Sequence, residues 1–140
     1  MCIRDSEYLM LHLKFLKKDG SLVSLSWSLT RSIEALIKYF KASYNIDGSK
    51  IFSTGMSLGG FMSYRLACEL NEINSIGSVT GSMAGYYQCN PPKKTSTIHF
   101  HGTADGTVPY NGVEWSLSAN DAHNFWKAHN KSTLTTNLMR

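Results

Sequence analysis

The sequence predicts an α/β fold, with a mostly parallel sheet and flanking helices, from three observations. Short runs rich in β-forming residues, such as 50–54 and 97–101, alternate with segments of helical periodicity. This alternation is typical of crossover units, which build a parallel sheet. A Gly-x-Ser-x-Gly sequence at 55–59 stands between one of these runs and the helical segment after it. Ligand sites in such sheets lie at the carboxyl ends of the strands, so functional residues are expected in the loops that follow them.

The N-terminal part of the chain contains the least clearly marked elements. Residues 8–15 and 22–27 are interpreted as short strands joined by a turn at 18–20. Before them, the sequence Met1-Cys-Ile-Arg-Asp-Ser6 resembles translated adapter sequence, with a genuine start as the alternative. The predicted organisation is therefore a sequencing artefact over 1–6 and one partial domain over 7–140.

A helix is predicted over residues 30–44. Its apolar residues, from Ile33 to Phe40, follow i, i+3, i+4, i+7 spacing, and Thr30 or Ser32 is expected to cap its first turn. The later elements follow from the same periodicities. They are strand 50–54, helix 58–70, strand 74–80, strand 97–101 and helix 118–130.

Composition indicates a globular chain with no unusual partner. Of the 140 residues, 42% are hydrophobic and 17% charged, which favours a folded domain over disorder. The net charge is +4, but the lysines occur in small groups without interleaved aromatic residues, so a nucleic-acid partner is not expected. No run approaches the roughly 18 apolar residues that span a membrane. Membrane insertion is therefore not expected either, and the oligomeric state is left open.

The sequence Gly55-Met-Ser57-Leu-Gly59 has the pattern of a nucleophile elbow. A serine hydroxyl held clear of a sheet edge needs a very sharp turn from strand to helix, which strains the backbone of the serine. Side chains two positions before and after it would collide, so both positions become glycine. The alternative is a glycine-rich turn that enters an ordinary core helix.

Asp105 follows the predicted strand 97–101 and lies in a loop expected to be tight and ordered. A catalytic triad needs a carboxylate that orients a histidine and stabilises its cation. The acid comes after the serine in the chain, which is the order found in α/β-hydrolases. The alternative is that Asp105 only caps a turn.

The cysteines Cys68 and Cys89 remain after Cys2 is set aside with the doubtful N-terminus. They would pair in an oxidising compartment if the fold brought them together, but two separate thiols are the favoured interpretation. No Cys-x-x-Cys pair or His/Cys ligand spacing occurs, so neither a metal nor another cofactor is predicted.

Several motifs together resemble the polyhydroxybutyrate depolymerase and feruloyl esterase group of α/β-hydrolases, which also includes acetyl xylan esterase-like enzymes. The likeness covers roughly residues 30–130. It is carried by Tyr44-Asn-Ile-Asp47, Gly55-Met-Ser-Leu-Gly-Gly60, Tyr64-Arg-Leu-Ala-Cys-Glu69, Val79-Thr-Gly-Ser-Met83 and His101-Gly-Thr-Ala-Asp105.

The resemblance implies an α/β-hydrolase fold, incomplete at both ends, and a serine esterase that hydrolyses carboxylic esters by Ser-His-Asp acyl transfer. Carried over residue by residue, it makes Ser57 the nucleophile, Asp105 the triad acid and the backbone N–H of Leu58 one oxyanion donor. It also implies a secreted or periplasmic enzyme whose substrate is a polyester or a plant cell-wall polysaccharide ester. Tyr110 and Trp115 are candidates for lining a substrate pocket, with plain packing as the favoured alternative.

The catalytic histidine of this group follows a strand that would lie beyond Arg140, and the second oxyanion donor lies on a loop that is not recognised upstream of the elbow. The chain itself is therefore expected to be inactive. His99 and His101 precede the acid on one strand face, where packing roles are expected. His123 and His129 lie on a predicted helix that should pack away from the active edge.

Two alternatives remain open at the level of the sequence. One is a different α/β-hydrolase, similar to dienelactone hydrolases or oligopeptidases, which shares the elbow and the acid. The other is a binding module that kept the fold without catalysis.

Overall fold

The computed structural model describes residues 9–12 and 27–133, with side chains from Leu29 onward. Its centre is a four-stranded parallel sheet in the order β1-β2-β3-β4. The strands are β1 (Leu9–His12), β2 (Ile51–Met56), β3 (Ser75–Val79) and β4 (Ser96–Phe100). The predicted α/β class with a mostly parallel sheet is confirmed for this part of the chain.

Three helices accompany the sheet: α1 (Trp27–Ser43), α2 (Leu58–Glu69) and α3 (Ala119–Asn130). Helix α1 connects β1 to β2, and α2 connects β2 to β3, so each is the helix of a crossover unit. Ser118 caps α3, since its Oγ accepts a hydrogen bond from the N–H of Asp121 at 2.9 Å.

Helix α1 begins earlier than the sequence predicts. Its first residue is Trp27, so Thr30 and Ser32 lie inside the helix and the predicted caps are wrong. Thr30 is buried, at 2% exposed, because its position is set by packing against the core and not by capping. The strand predicted over 22–27 is wrong at Trp27, and its other residues lie outside the described ones. Strand 8–15 is confirmed over Leu9–His12, and residues 1–6 are not described.

The core lies between the helices and one face of the sheet. In register, Gly55 of β2 pairs with Ser78 of β3, which pairs with His99 of β4. Parallel partners point to the same face, and this face is the one that α2 covers, as the buried hydrogen bond of 2.9 Å between Ser53 Oγ and Ser63 Oγ shows.

The opposite face of the sheet is apolar and open within the described residues. Met56, Val79 and Phe100 form one row across three strands. Their exposed fractions are 59%, 37% and 55%. Parallel sheets are ordinarily covered on both faces, so within the described residues this exposed apolar row departs from the usual arrangement.

A disulfide bond joins Cys68 in α2 to Cys89 in the loop after β3, with the Cα atoms 5.1 Å apart. The prediction of two separate thiols is therefore wrong. The loop folds back over α2, where the Tyr87 hydroxyl donates a hydrogen bond to Glu69 Oε1 at 2.8 Å. This contact brings Cys89 beside the helix, which the sequence separation of 21 residues concealed.

Across residues 9–12 and 27–133, no helix combines the length and apolar character needed to cross a bilayer. Within the same ranges, no group of three or more His, Cys, Asp or Glu side chains is arranged to hold a metal ion.

Candidate active site

Ser57 occupies the sharp turn between β2 and α2. Its backbone angles are φ 54° and ψ −118°, in the left-handed region that non-glycine residues rarely adopt. The residue stands at the N-cap of α2, yet its side chain makes no capping hydrogen bond. The hydroxyl of a serine at an N-cap ordinarily accepts a hydrogen bond from one of the first helical N–H groups. Here the strained turn directs the hydroxyl elsewhere, as a nucleophile requires.

The glycines around Ser57 are required by close backbone packing. A Cβ on Gly55 would lie 2.4 Å from the carbonyl carbon of Gly59, and a Cβ on Gly60 would lie 2.2 Å from Ser78 Oγ. The strand-to-helix turn therefore closes only without these side chains. The N–H of Ser57 donates to the carbonyl oxygen of Val79 at 2.8 Å, which ties the turn to the end of β3.

Leu58 is the first residue of α2. The first amides of an α-helix have no acceptor within the helix, and they carry the positive end of its dipole. The N–H of Leu58, which the family resemblance makes a candidate oxyanion donor, is one of these first amides.

Asp105 lies in the loop after β4, with its side chain 16% exposed. Its Oδ1 accepts hydrogen bonds from the N–H groups of Val108 and Thr107, both at 2.9 Å. These bonds, that of Val108 first, lower the pKa of the carboxyl below its usual value. The group is held as a carboxylate, and its Oδ2 accepts from neither of these amides.

Ser57 and Asp105 both follow the carboxyl ends of strands in the same parallel sheet. Val79 O accepts from Ser57 N–H, and Phe100 O accepts from Thr80 N–H, each at 2.8 Å, so the ends of β2, β3 and β4 are joined in sequence. The two strands that lead to the serine and the acid are separated by β3 alone, a span of about 10 Å. Ser57 and Asp105 therefore lie at the same edge of the sheet, in loops that follow strands two positions apart.

Three of the described histidines have hydrogen-bond partners other than Ser57 and Asp105. His99 and His101 share one strand face, as predicted, with ring centroids 5.1 Å apart, and all four of their ring nitrogens have hydrogen-bond partners. His129 Nε2 donates to Lys93 O at 3.0 Å, near the amino end of β4 and thus opposite the Ser57 edge. His123 lies on α3, the helix expected to pack away from the active edge.

The two aromatic residues considered for a substrate pocket make packing contacts. The ring centroids of Trp115 and Phe61 are 6.0 Å apart, and Tyr110 packs edge-on against His101 at 5.8 Å. The Tyr110 hydroxyl also donates to Asn120 Oδ1 at 3.2 Å. These contacts agree with the packing interpretation that the sequence favoured.

Sequence reasoning missed one set of residues next to the site. A chain of side-chain hydrogen bonds runs from Tyr64 through His99 and His101 to the carbonyl oxygen of Val108. The available signal was the pair of histidines two positions apart at the end of a strand, directly before the acid loop. Their partner on α2 lies 35 residues away in the sequence and has no local signature.

The chain is similar to fungal esterases. It is 35% identical over 82 residues to a probable feruloyl esterase C of Aspergillus clavatus. The aligned segment covers 57% of this chain and 29% of the relative. It is 29% identical over 90 residues to a bifunctional acetylxylan esterase/xylanase of Neocallimastix patriciarum, covering 63% and 13%. A feruloyl esterase D of Neurospora crassa is 37% identical over 65 residues, covering 45% and 22%.

No protein-family model matches the chain. The chain spans less than a third of the length of these relatives. The similarity to feruloyl and acetylxylan esterases supports the prediction of an esterase that the motifs gave.

Proposed function

We propose that this protein is a serine esterase that hydrolyses feruloyl or acetyl esters of plant cell-wall polysaccharides by Ser-His-Asp acyl transfer on an α/β-hydrolase fold. The observation that carries the proposal is the backbone of Ser57, held at φ 54° at the head of α2 with no capping bond from its hydroxyl. Such strain is retained where a function needs it, because it costs about 1–3 kcal/mol. The esterase relatives support the class of bond that is cleaved.

In the first step, Ser57 Oγ attacks the ester carbonyl carbon while a histidine accepts its proton. The carbonyl oxygen becomes an oxyanion, to which the N–H of Leu58 and a second donor hydrogen bond. Each such donor lowers the barrier by about 3 kcal/mol. The tetrahedral intermediate then expels the alcohol, which takes the proton from the histidine. Water attacks the acyl-enzyme by the same route and releases the acid and the free Ser57 hydroxyl.

Asp105 serves in this scheme as the acid that orients the histidine and stabilises its cation. Its lowered pKa keeps it ionised. The base in this scheme is a different histidine from His99, His101 and His129, which are committed to other partners. His123 is not assigned either, since α3 is expected to pack away from the active edge. We accordingly expect the 140-residue chain by itself to show little or no activity, as expected from the sequence.

The disulfide between Cys68 and Cys89 supports a site of action outside the reducing cytosol, in the secreted or periplasmic space. Polyhydroxybutyrate, the other substrate suggested by the motifs, would be cleaved by the same acyl-transfer chemistry. A panel of feruloyl, acetylxylan, hydroxybutyrate and aminoacyl esters separates these specificities. Preference for the hydroxybutyrate or aminoacyl esters would contradict the proposed substrate class.

The decisive experiment is covalent labelling of the full-length enzyme that includes this chain. A fluorophosphonate probe should label the wild type and should not label Ser57→Ala. Ser96→Ala is the matched control, since Ser96 is exposed at the amino end of β4, and it should label as the wild type does. Labelling of Ser57→Ala, or an unreactive wild type, would refute the serine-esterase assignment.

A further inference from the structure

Three side chains and one backbone carbonyl form a continuous line behind the acid loop. Tyr64 Oη lies 2.7 Å from His99 Nδ1, His99 Nε2 lies 2.9 Å from His101 Nδ1, and His101 Nε2 lies 2.7 Å from Val108 O. The line starts on α2, crosses the end of β4 and finishes in the loop that carries Asp105.

The last acceptor determines the direction of every bond in the line. A carbonyl oxygen only accepts, so His101 Nε2 carries the proton. In a neutral imidazole the other nitrogen is an acceptor, so His101 Nδ1 accepts from His99 Nε2–H. By the same reasoning His99 Nδ1 accepts from the Tyr64 hydroxyl. As neutral rings, both histidines are therefore Nε2–H tautomers.

The surroundings favour the neutral form of His99, whose ring stacks on the buried ring of His101. Burial, followed by the neighbouring His101 and His123, lowers the pKa of His99 to about 4. Burial also raises the pKa of Tyr64, so its hydroxyl keeps the proton that it donates.

Val108 connects this line to the acid. Its N–H donates to Asp105 Oδ1 at 2.9 Å, while its carbonyl oxygen accepts from His101 at 2.7 Å. Val108 is thus hydrogen-bonded through both its N–H and its carbonyl oxygen. Oδ1 of Asp105 already accepts from the loop amides. Oδ2 lies 3.7 Å from His101 Nε2, beyond hydrogen-bond distance. It is the carboxylate oxygen left to accept from a catalytic imidazole.

We propose that His101, held in its Nε2–H tautomer by His99 and Tyr64, is a positioning residue that fixes the Asp105 loop through the carbonyl oxygen of Val108. The proposal rests on the proposed function, in which Asp105 is the triad acid. It assigns His101 a hydrogen-bond role that a glutamine side chain can perform, since the amide nitrogen donates and the amide oxygen accepts. A leucine side chain fills a similar volume and does neither.

The kinetic test compares His101→Gln with His101→Leu in the full-length enzyme, with a soluble aryl ester as substrate. His101→Gln should keep kcat within about 3-fold of wild type. His101→Leu should lower kcat by about 100-fold, the scale of a 1 Å misplacement, and leave KM within about 3-fold. Equal kcat values in the two variants, or a loss confined to KM, would overturn the proposal.

A second measurement uses the wild type, so it does not require a variant to fold. Ring-nitrogen NMR shifts of ¹⁵N-histidine-labelled wild type should show His99 and His101 as neutral Nε2–H tautomers at pH 7. A protonated Nδ1 on His101 would overturn the proposal. If the wild type hydrolyses no ester, the proposed function fails, whereas these shifts still decide whether the hydrogen-bonded line exists.

Discussion

Gly81 packs directly against Ser57: a Cβ on Gly81 would stand 2.4 Å from the carbonyl oxygen of Ser57. It would also stand 2.9 Å from the backbone nitrogen of Phe61. The loop after β3 thus supports the strained turn from behind. Since all of these neighbours are backbone atoms, they cannot rotate away from an added methyl group.

Gly81→Ala should therefore lower the free energy of unfolding by about 2–3 kcal/mol, the scale of overpacking in a tight interior. Gly106→Ala is the matched control, because a Cβ there would meet nothing within 4 Å. Urea unfolding followed by circular dichroism measures both. Equal stabilities of the two variants would mean that the loop does not support the turn.

Ser57→Gly should stabilise the protein while abolishing hydrolysis. Glycine adopts φ 54° without steric cost, which relieves strain of about 1–3 kcal/mol, offset in part by the greater entropy of glycine in the unfolded chain. A net gain of about 1 kcal/mol in the free energy of unfolding is expected. Ser57→Ala keeps its Cβ, so it should lose activity without this gain. A glycine variant no more stable than the alanine variant would argue against strain at this position.

Asp105→Asn should reduce kcat of the full-length enzyme by about 10⁴-fold and leave the fold intact. The asparagine oxygen can still accept from the N–H groups of Thr107 and Val108, so the loop keeps its shape. The side chain no longer carries the charge that stabilises an imidazolium. Steady-state kinetics and thermal unfolding of the same sample separate the two effects. Asp121→Asn, at the first turn of α3, is a control that should retain activity.

Breaking the disulfide between Cys68 and Cys89 should lower the free energy of unfolding by about 3 kcal/mol. The bond closes a loop with a sequence separation of 21 residues, and it restricts the unfolded chain. Thermal unfolding with and without dithiothreitol measures the effect, and Cys89→Ser should reproduce it. An unfolding midpoint that dithiothreitol leaves unchanged would contradict the pairing.

Stability should fall as the pH drops from about 6.5 to about 4, in part through His99. The pKa of His99 is lowered from 6.5 to about 4 in the folded state, so between these values the unfolded chain binds the proton that the folded chain rejects. His99 therefore stabilises the folded state fully above pH 6.5, and this stabilisation is lost as the pH approaches 4. The groups that face the ring are Tyr64 of α2, His101 after β4 and His123 of α3.

The measurement is urea unfolding at pH 7.5 and pH 4.5 for wild type and His99→Gln. Glutamine keeps a donor and an acceptor but does not titrate in this range. The difference in stability between the two pH values should be smaller in the variant. An unchanged difference would show that another group is responsible for the pH dependence.

The elements around the elbow were predictable because their signals are local. Strand 50–54 corresponds to Ile51–Met56, and helix 58–70 corresponds to Leu58–Glu69. Strand 97–101 and helix 118–130 correspond to Ser96–Phe100 and Ala119–Asn130. Periodicity, glycine spacing and capping residues act over a few positions, so a single sequence displays them. The candidacies of Ser57 and Asp105 came from the same local patterns and that of Leu58 from the family resemblance, and all three stay proposals.

Long-range packing decided what the sequence left open. The pairing of Cys68 with Cys89 depends on surfaces that meet only in the folded chain. The start of α1 at Trp27 was not indicated by the local periodicity. The line from Tyr64 to Val108 joins a helix, a strand end and a loop, and its proton positions follow from one carbonyl oxygen at its end. The sequence by itself determined β2, α2, β4 and α3, because their signals depend on neighbouring residues. Only the tertiary structure decided which distant side chains share a hydrogen bond or a disulfide, because those contacts arise when the parallel strands pair.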